Sequence, residues 1–305
     1  MQAIRHFFAS RFIRYAYGRN DRRRDAGQTT PADIKRFDNI VYGDDQRLKK
    51  WQLLDVYRPA NQTQSDGSLK KLPVIISVHG GSFVYGTKDA YQYYCMRLAQ
   101  QGFALVNFSY RLAPEAKYPS SLEDTEKVFQ FVADQAQTYG FDTNNVFAVG
   151  DSAGGHLLAM YTAAITNKAF GKNFPFIKEK KLTLRAVALN CAKYHLNDKE
   201  PKFKLLLSGL MPEGGTEEEI KFLNTTSHVT KDFPPAFIMT CEGDFVKEEA
   251  PLMKAALDKA GARNEYHCYG SPEKPLWHVF HCDPKLEEAR RCNDDECNFF
   301  RSLME

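Results

Sequence analysis

Short apolar runs rich in β-branched residues recur along the chain, separated by longer segments in which apolar positions come every three or four residues. The run Leu72-Pro-Val-Ile-Ile-Ser-Val78 is apolar at nearly every position, the pattern of a strand covered on both faces. Runs at 104–108, 146–149, 186–190, 236–240 and 264–269 predict further strands. Between them the spacing predicts helices over 91–101, 121–139, the segment after 152, 250–260 and 287–303. Strands alternating with helices imply a mainly parallel sheet with helices on both faces, and ligand sites beyond the carboxyl ends of the strands. The fold class is therefore α/β. Upstream, residues 38–57 read as paired strands joined by Gly43-Asp44-Asp45, and 61–71 as a polar loop. Residues 1–35 read as a separate N-terminal arm, ahead of a single domain over 36–305.

One of these runs breaks into chemistry. Val146 to Val149 leads directly into Gly150-Asp151-Ser152-Ala153-Gly154-Gly155, and a helical pattern opens at His156. This is the pattern of a serine held on a sharp strand-to-helix turn. Small residues are needed there because the turn strains the serine backbone and neighbouring segments approach closely. A lone G-x-S-x-G arises by chance in about one chain of this length in ten, so the setting carries the signal. The strand over 74–79 likewise ends in His79-Gly80-Gly81-Ser82. Glycines there can turn backbone N–H groups outward to bind a developing oxyanion. Gly80 and Gly81 are the expected donors, with the N–H of Ala153 as the third.

On these motifs the chain resembles the α/β-hydrolases, and within them the hormone-sensitive-lipase-like esterases. That group carries an HGGG loop and a GDSAGG elbow; here the elbow matches in full and the loop departs from it at Ser82. Ser109-Tyr-Arg-Leu-Ala-Pro-Glu115 is a third matching segment, in which Pro114 ends regular structure and Arg111 can pair with an acid. The resemblance spans about residues 50–300. It implies an α/β-hydrolase sheet with a small helical cap and a nucleophile, acid and base in the order Ser, Asp or Glu, His. Ser152 is the implied nucleophile. Asp244, beyond the Glu242-Gly243 turn, matches the family acid, with Glu242 as its competitor. The segment Trp277-His278-Val279-Phe280 resembles the family's H-x-F pattern, which makes His278 the base and His281 the alternative. In the family the histidine of the glycine loop orients that loop, and His79 is read in this role.

Composition narrows the reading. A net charge of +3 is too small to argue for nucleic acid. Arg19, Arg22, Arg23 and Arg24 cluster with Asp21 and Asp25 interleaved, the composition of a solvated helix end or linker. The first fifteen residues hold Arg5, Arg11 and Arg14 and lack the apolar stretch of a signal peptide, and no run reaches the ~18 apolar residues of a membrane span. Phe7, Phe8, Phe12 and Ile13 suggest a short amphipathic helix that packs on the body or covers the site mouth. Seven cysteines, an odd count, fit free thiols in a reducing, cytoplasmic setting better than a disulfide set. Their spacing offers no zinc site.

Residues from about 191 to 231 lie where α/β-hydrolases insert cap helices, with short helices expected over 202–210 and 217–224. Phe203, Leu207, Leu210, Met211 and Phe222 are candidates to line an acyl pocket, or else to pack the cap onto the body. The resemblance implies acyl transfer through an acyl-serine, without metal or organic cofactor, on a small-molecule ester of the short-chain, acetyl type. A phenolic ester, a serine peptidase of the same fold and a non-catalytic ligand-binding relative are the alternatives. The sequence sets no oligomeric state.

Overall fold

The central runs are apolar throughout because alternate residues enter two different cores. In a computed structural model, which describes residues 2–196 and 201–304 (side chains for 6–196 and 204–304), eight strands form one sheet. They are β1 (Ile34–Val41), β2 (Leu53–Pro59), β3 (Leu72–Val78), β4 (Ala104–Phe108), β5 (Phe141–Asp151), β6 (Leu184–Asn190), β7 (Ala236–Cys241) and β8 (Asn264–Tyr269). Their order is β1-β2-β4-β3-β5-β6-β7-β8. The β1/β2 and β2/β4 pairs are antiparallel and every later pair is parallel.

The helices are α1 (Gln2–Asp25), α2 (Lys88–Gln100), α3 (Ser120–Asp134), α4 (Ala136–Tyr139), α5 (Ser152–Thr166), α6 (Lys168–Gly171), α7 (Pro201–Leu210), α8 (Glu217–Phe222), α9 (Glu249–Ala260) and α10 (Glu287–Arg301). Val74, Ile76 and Val78 of β3, with Val146 and Ala148 of β5, meet α3, α5 and α9 in one core. Ile75, Phe147 and Val149 point the other way, into a core built with α2 and α10. The expected α/β-hydrolase architecture is the one observed, with the elbow, the glycine loop and the acid turn all at the carboxyl ends of β5, β3 and β7.

Three boundaries differ most from expectation. β1 starts at Ile34, inside the expected arm, because that side chain is buried and its residue pairs with Pro59. β5 begins at Phe141, since Phe141 and Asp142 pair with Leu72 and Pro73 before the apolar run starts. The helix expected over 121–139 divides into α3 and α4, and Gly140, at φ +64°, turns the chain out of α4 into β5.

α1 is one long helix rather than a short one. Its Arg24 turns inward, bonded to Asp25 at 2.8 Å and paired with Asp21 at 3.2 Å, and donates to the Ala90 carbonyl, whereas Arg19, Arg22 and Arg23 are exposed. α1 and α7 are joined by a 2.7 Å hydrogen bond between His6 Nε2 and Ser208 Oγ. No helix among the described residues is long and apolar enough to cross a membrane. All seven cysteines are free thiols, and only Cys268 is exposed.

Candidate active site

β5 runs straight into α5, and the join is the serine. Ser152 sits at φ +51°, a region that costs a non-glycine residue ~1–2 kcal/mol and therefore marks an enforced turn. Glycine at 154 is what permits it. A Cβ there would lie 2.1 Å from the Val78 carbonyl oxygen and 2.4 Å from that of His79. The serine thus stands against the end of β3, with Ala153 in the first turn of α5, where backbone N–H groups have no intrahelical acceptor.

Asp244 and His278, the expected acid and base, reach Ser152 through another glycine. A Cβ on Gly243 would stand 2.1 Å from the Leu276 carbonyl oxygen, so only glycine lets the turn after β7 approach the 276–278 segment. A β-bridge between Gly243 and Trp277 fixes that approach. Ser152 Oγ–H donates to His278 Nε2 at 2.9 Å, and His278 Nδ1–H donates to Asp244 Oδ1 at 2.7 Å. Val246 N–H and the Thr240 hydroxyl, each at 3.0 Å, donate to Oδ1 and Oδ2 of Asp244. Burial works against ionisation of Asp244, but the bond and charge of His278 and the Val246 N–H outweigh it and hold the carboxyl below its ordinary range.

The competing residues are elsewhere. Glu242 pairs with Lys247 at 2.7 Å. His281 is buried edge-on to Tyr94, and burial pushes its imidazole down to about 3. His6 bonds Ser208, His195 bonds Glu249, His228 stacks on Phe170 and His267 on Phe237.

The glycine loop departs from expectation at Gly80. Its N–H donates to the Tyr91 hydroxyl at 3.0 Å and to Asp151 Oδ1 at 3.1 Å, so this group is already occupied. The next two peptides are oriented differently. The Gly80 carbonyl accepts from His79 Nδ1–H at 2.8 Å, so across that planar trans peptide the Gly81 N–H points the opposite way. The Gly81 carbonyl accepts from Tyr85 N–H at 2.9 Å and Val84 N–H at 3.2 Å, which turns the Ser82 N–H outward in the same manner. Among the described residues neither N–H has a protein acceptor. His79 lies buried, stacked on Tyr110 with ring centroids 4.0 Å apart, and burial pushes it down to about 4. A neutral ring is what the single Nδ1–H donor requires.

Several partners of the site were not legible as such. Asp151, inside the elbow motif, accepts the Tyr91 hydroxyl at 2.7 Å as well as the Gly80 N–H, and burial pushes its carboxyl up to about 6. The motif places Asp151, but nothing in the sequence ties it to Tyr91, which lies 60 residues upstream. Cys191 Sγ, one Asp244 oxygen and one His278 nitrogen lie within 4.8 Å of one another. Both His278 nitrogens are engaged and burial pushes the Cys191 thiol up, so this group presents no open ligand set for a metal. Glu249 accepts from Lys193 Nζ, His195 Nδ1 and the N–H groups of Tyr194 and His195, anchoring the chain as it leaves β6.

A cavity of about 570 Å³ reaches the glycine loop and the turn after β7, lined chiefly by apolar side chains of α1 and α7 together with Ser82, Val84 and Phe245. Phe245 stands over the His278 ring with centroids 4.4 Å apart. From α7 the lining residues are Leu205, Leu206 and Gly209. The pocket candidates Leu207, Leu210 and Met211 instead face inward and are buried in the core. Phe222 packs on Phe170, Phe174 and His228, and the Phe203 side chain lies outside the described residues. Helical spacing explains the exchange: 207 and 210 share one face of α7, while 205, 206 and 209 turn toward α1.

Comparison with known proteins points to esterases of the same fold. The BD-FAE family model matches residues 54–250. Versiconal hemiacetal acetate esterase of Dothistroma septosporum is 30% identical over 247 residues, covering 73% of this chain and 71% of that protein. An acetyl esterase of Salmonella schwarzengrund is 23% identical over 250 residues, 76% of this chain and 72% of that protein. The crystal structure of esterase B from Lactobacillus rhamnosis superposes with a TM-score of 0.84 at 23% identity, covering 97% of this chain and 95% of that one. The chain belongs to the BD-FAE family, among the hormone-sensitive-lipase-like esterases of the α/β-hydrolase fold.

Proposed function

We propose that the protein hydrolyses short-chain, acetyl-type carboxylic esters by two-step acyl transfer at Ser152. One observation carries this reading: the hydrogen-bond chain Ser152–His278–Asp244, at 2.9 and 2.7 Å, placed beside an apolar cavity. A serine hydroxyl is a weak nucleophile until a positioned base accepts its proton. Ser152 Oγ attacks the ester carbonyl as His278 Nε2 takes that proton. Asp244 holds the Nδ1–H tautomer and offsets the positive charge that forms on the ring. The carbonyl π pair moves onto oxygen, which the N–H groups of Gly81, Ser82 and Ala153 bind. In this role Ser82 replaces Gly80, whose N–H is held by Asp151 and Tyr91.

Collapse of the tetrahedral intermediate expels the alkoxide, which His278 protonates. Water then repeats the sequence on the acyl-serine and releases the acid. Every proton in this scheme is moved by His278. α1 and the segment over about 191–231 act together as the cap, since α1 and α7 line the cavity side by side. Seven free thiols support a reducing, cytoplasmic setting.

The acetyl preference draws on relatives whose names specify acetate esters or acetyl groups, the versiconal hemiacetal acetate esterase and the Salmonella acetyl esterase. These names favour neither a peptidase nor a non-catalytic binding protein. Hydrolysis of p-nitrophenyl esters from acetyl to dodecanoyl tests the reading. The expected kcat/KM is highest for the shortest chains and falls as the acyl chain lengthens. A maximum at the longest chains, or folded protein inactive on the whole series, overturns it.

A further inference from the structure

Hydrogen bonds tie the N-terminal helix to the glycine loop at two points, Val84 and Tyr85, and both bear on the peptides of Gly81 and Ser82. Arg14 reaches from α1 with a full fork of hydrogen bonds. Its Nε–H donates to the Val84 carbonyl at 2.7 Å and its Nη2–H to the Ala113 carbonyl at 3.0 Å. The two Nη groups also grip Glu115 at 2.6 and 2.7 Å. Two turns further along, Asp21 Oδ2 accepts the Tyr85 hydroxyl at 2.5 Å. Val84 and Tyr85 are the residues whose N–H groups fix the Gly81 carbonyl, and through that planar peptide the direction of the Ser82 N–H. Ser82 and Phe83 are held at φ +55° and +62°. Non-glycine residues in this region return to more favourable backbone angles when their surroundings release them.

We infer that Arg14 is a positioning residue: α1 holds the 81–85 turn in shape through the Arg14–Val84 contact, so that the outward N–H groups of Gly81 and Ser82 are set before substrate binds. The inference rests on the oxyanion role given to those groups above. An N-terminal helix that only walled the cavity would act on substrate binding. A helix that fixes the loop acts on the chemical step, because the bond from N–H to oxygen strengthens as the carbonyl becomes an oxyanion. A lysine at 14 keeps a cation beside Glu115 but cannot reproduce the planar fork that bonds Val84, Ala113 and Glu115 together.

The test compares wild type, Arg14→Lys and Arg14→Ala by kcat and KM on p-nitrophenyl acetate and by melting temperature. Arg14→Lys is expected to lose about tenfold in kcat, with KM within about twofold and a melting temperature close to wild type. Arg14→Ala is expected to lose at least as much kcat and also to melt earlier. The rate at which a p-nitrophenyl phosphonate inactivates the enzyme should fall in parallel with kcat, since its phosphoryl oxygen calls on the same donors. An Arg14→Lys enzyme with unchanged kcat and phosphonate rate overturns the inference, as does a change confined to KM. Wild type without ester turnover would instead overturn the functional reading on which it rests, so the two failures are separate.

Discussion

Replacing Asp244 by asparagine separates two things a carboxylate does for its histidine. It fixes the tautomer, and it offsets charge. Two donors meet at Oδ1: His278 Nδ1–H at 2.7 Å and Val246 N–H at 3.0 Å. In Asp244→Asn the amide oxygen therefore stays at the Oδ1 position, and the NH2 group faces the Thr240 hydroxyl, which can turn to accept it. The Nδ1–H tautomer of His278 survives, so the loss is the charge alone. A carboxylate and an imidazolium about 4 Å apart, at an effective dielectric of about 20, attract by about 4 kcal/mol. That corresponds to about 10³ in kcat, with KM little changed. Asp244→Ala also removes the anchor of the ring, and about 10⁴ is expected. The assay is steady-state hydrolysis of p-nitrophenyl acetate, at enzyme concentrations high enough to resolve the residual rate, with melting curves to confirm folding. Asp244→Asn within tenfold of wild type would mean that the Asp244 charge does not stabilise the imidazolium. An asparagine variant as impaired as the alanine one would mean that the tautomer was lost despite Val246.

Other expectations follow from the same geometry. His278→Ala should lose at least about 10⁴ in kcat while melting near wild type, whereas His281→Ala, which opens a hole beside Tyr94, should melt earlier and keep kcat within about tenfold. The reverse pattern in the same two assays would reassign the base. Glu296, buried in α10, accepts from Asn190 Nδ2 at 2.6 Å and from the Tyr94 hydroxyl at 3.2 Å, and burial pushes its carboxyl from 4.5 up to about 7. A raised carboxyl binds its proton more tightly in the folded state, so its stabilising contribution is full below the unfolded value and is lost as pH rises through the folded one. Glu296→Gln carries no such titration. Its melting temperature relative to wild type should therefore rise between about pH 5 and about pH 8, and a difference that is flat or falls with pH counts against the burial argument.

The parts of the molecule legible in the sequence were those where one residue type answers one local demand. Apolar runs marked β3 to β7 because strands covered on both faces leave no polar register. The glycines of the elbow marked Ser152 because only they allow β3, β5 and α5 to meet at one point. The acid and base came from resemblance and order along the chain, and the fold brings Asp244 and His278 together across the Gly243–Trp277 bridge. What was not legible depends on long-range partners. Gly80 looked like a donor because the motif supplies an N–H but not its direction, which is set by Tyr91 and Asp151. Whether Leu207, Leu210 and Met211 line the pocket or pack inward was left open, because helical spacing gives a face without saying which neighbour it meets; they lie in the core. Arg14 stood in the sequence only as one of three arginines in the first fifteen residues, and its role depends on Val84, Ala113 and Glu115 closing around it.

Two-step acyl transfer requires that Ser152 become covalently acylated. Treating the protein with a p-nitrophenyl phosphonate, then measuring intact mass, peptide map and residual ester turnover, tests it most directly. One adduct per chain is expected, carried by Ser152, with turnover lost in proportion to labelling and no label on a folded Ser152→Ala variant. Labelling at another residue, or full ester turnover by Ser152→Ala, would contradict it.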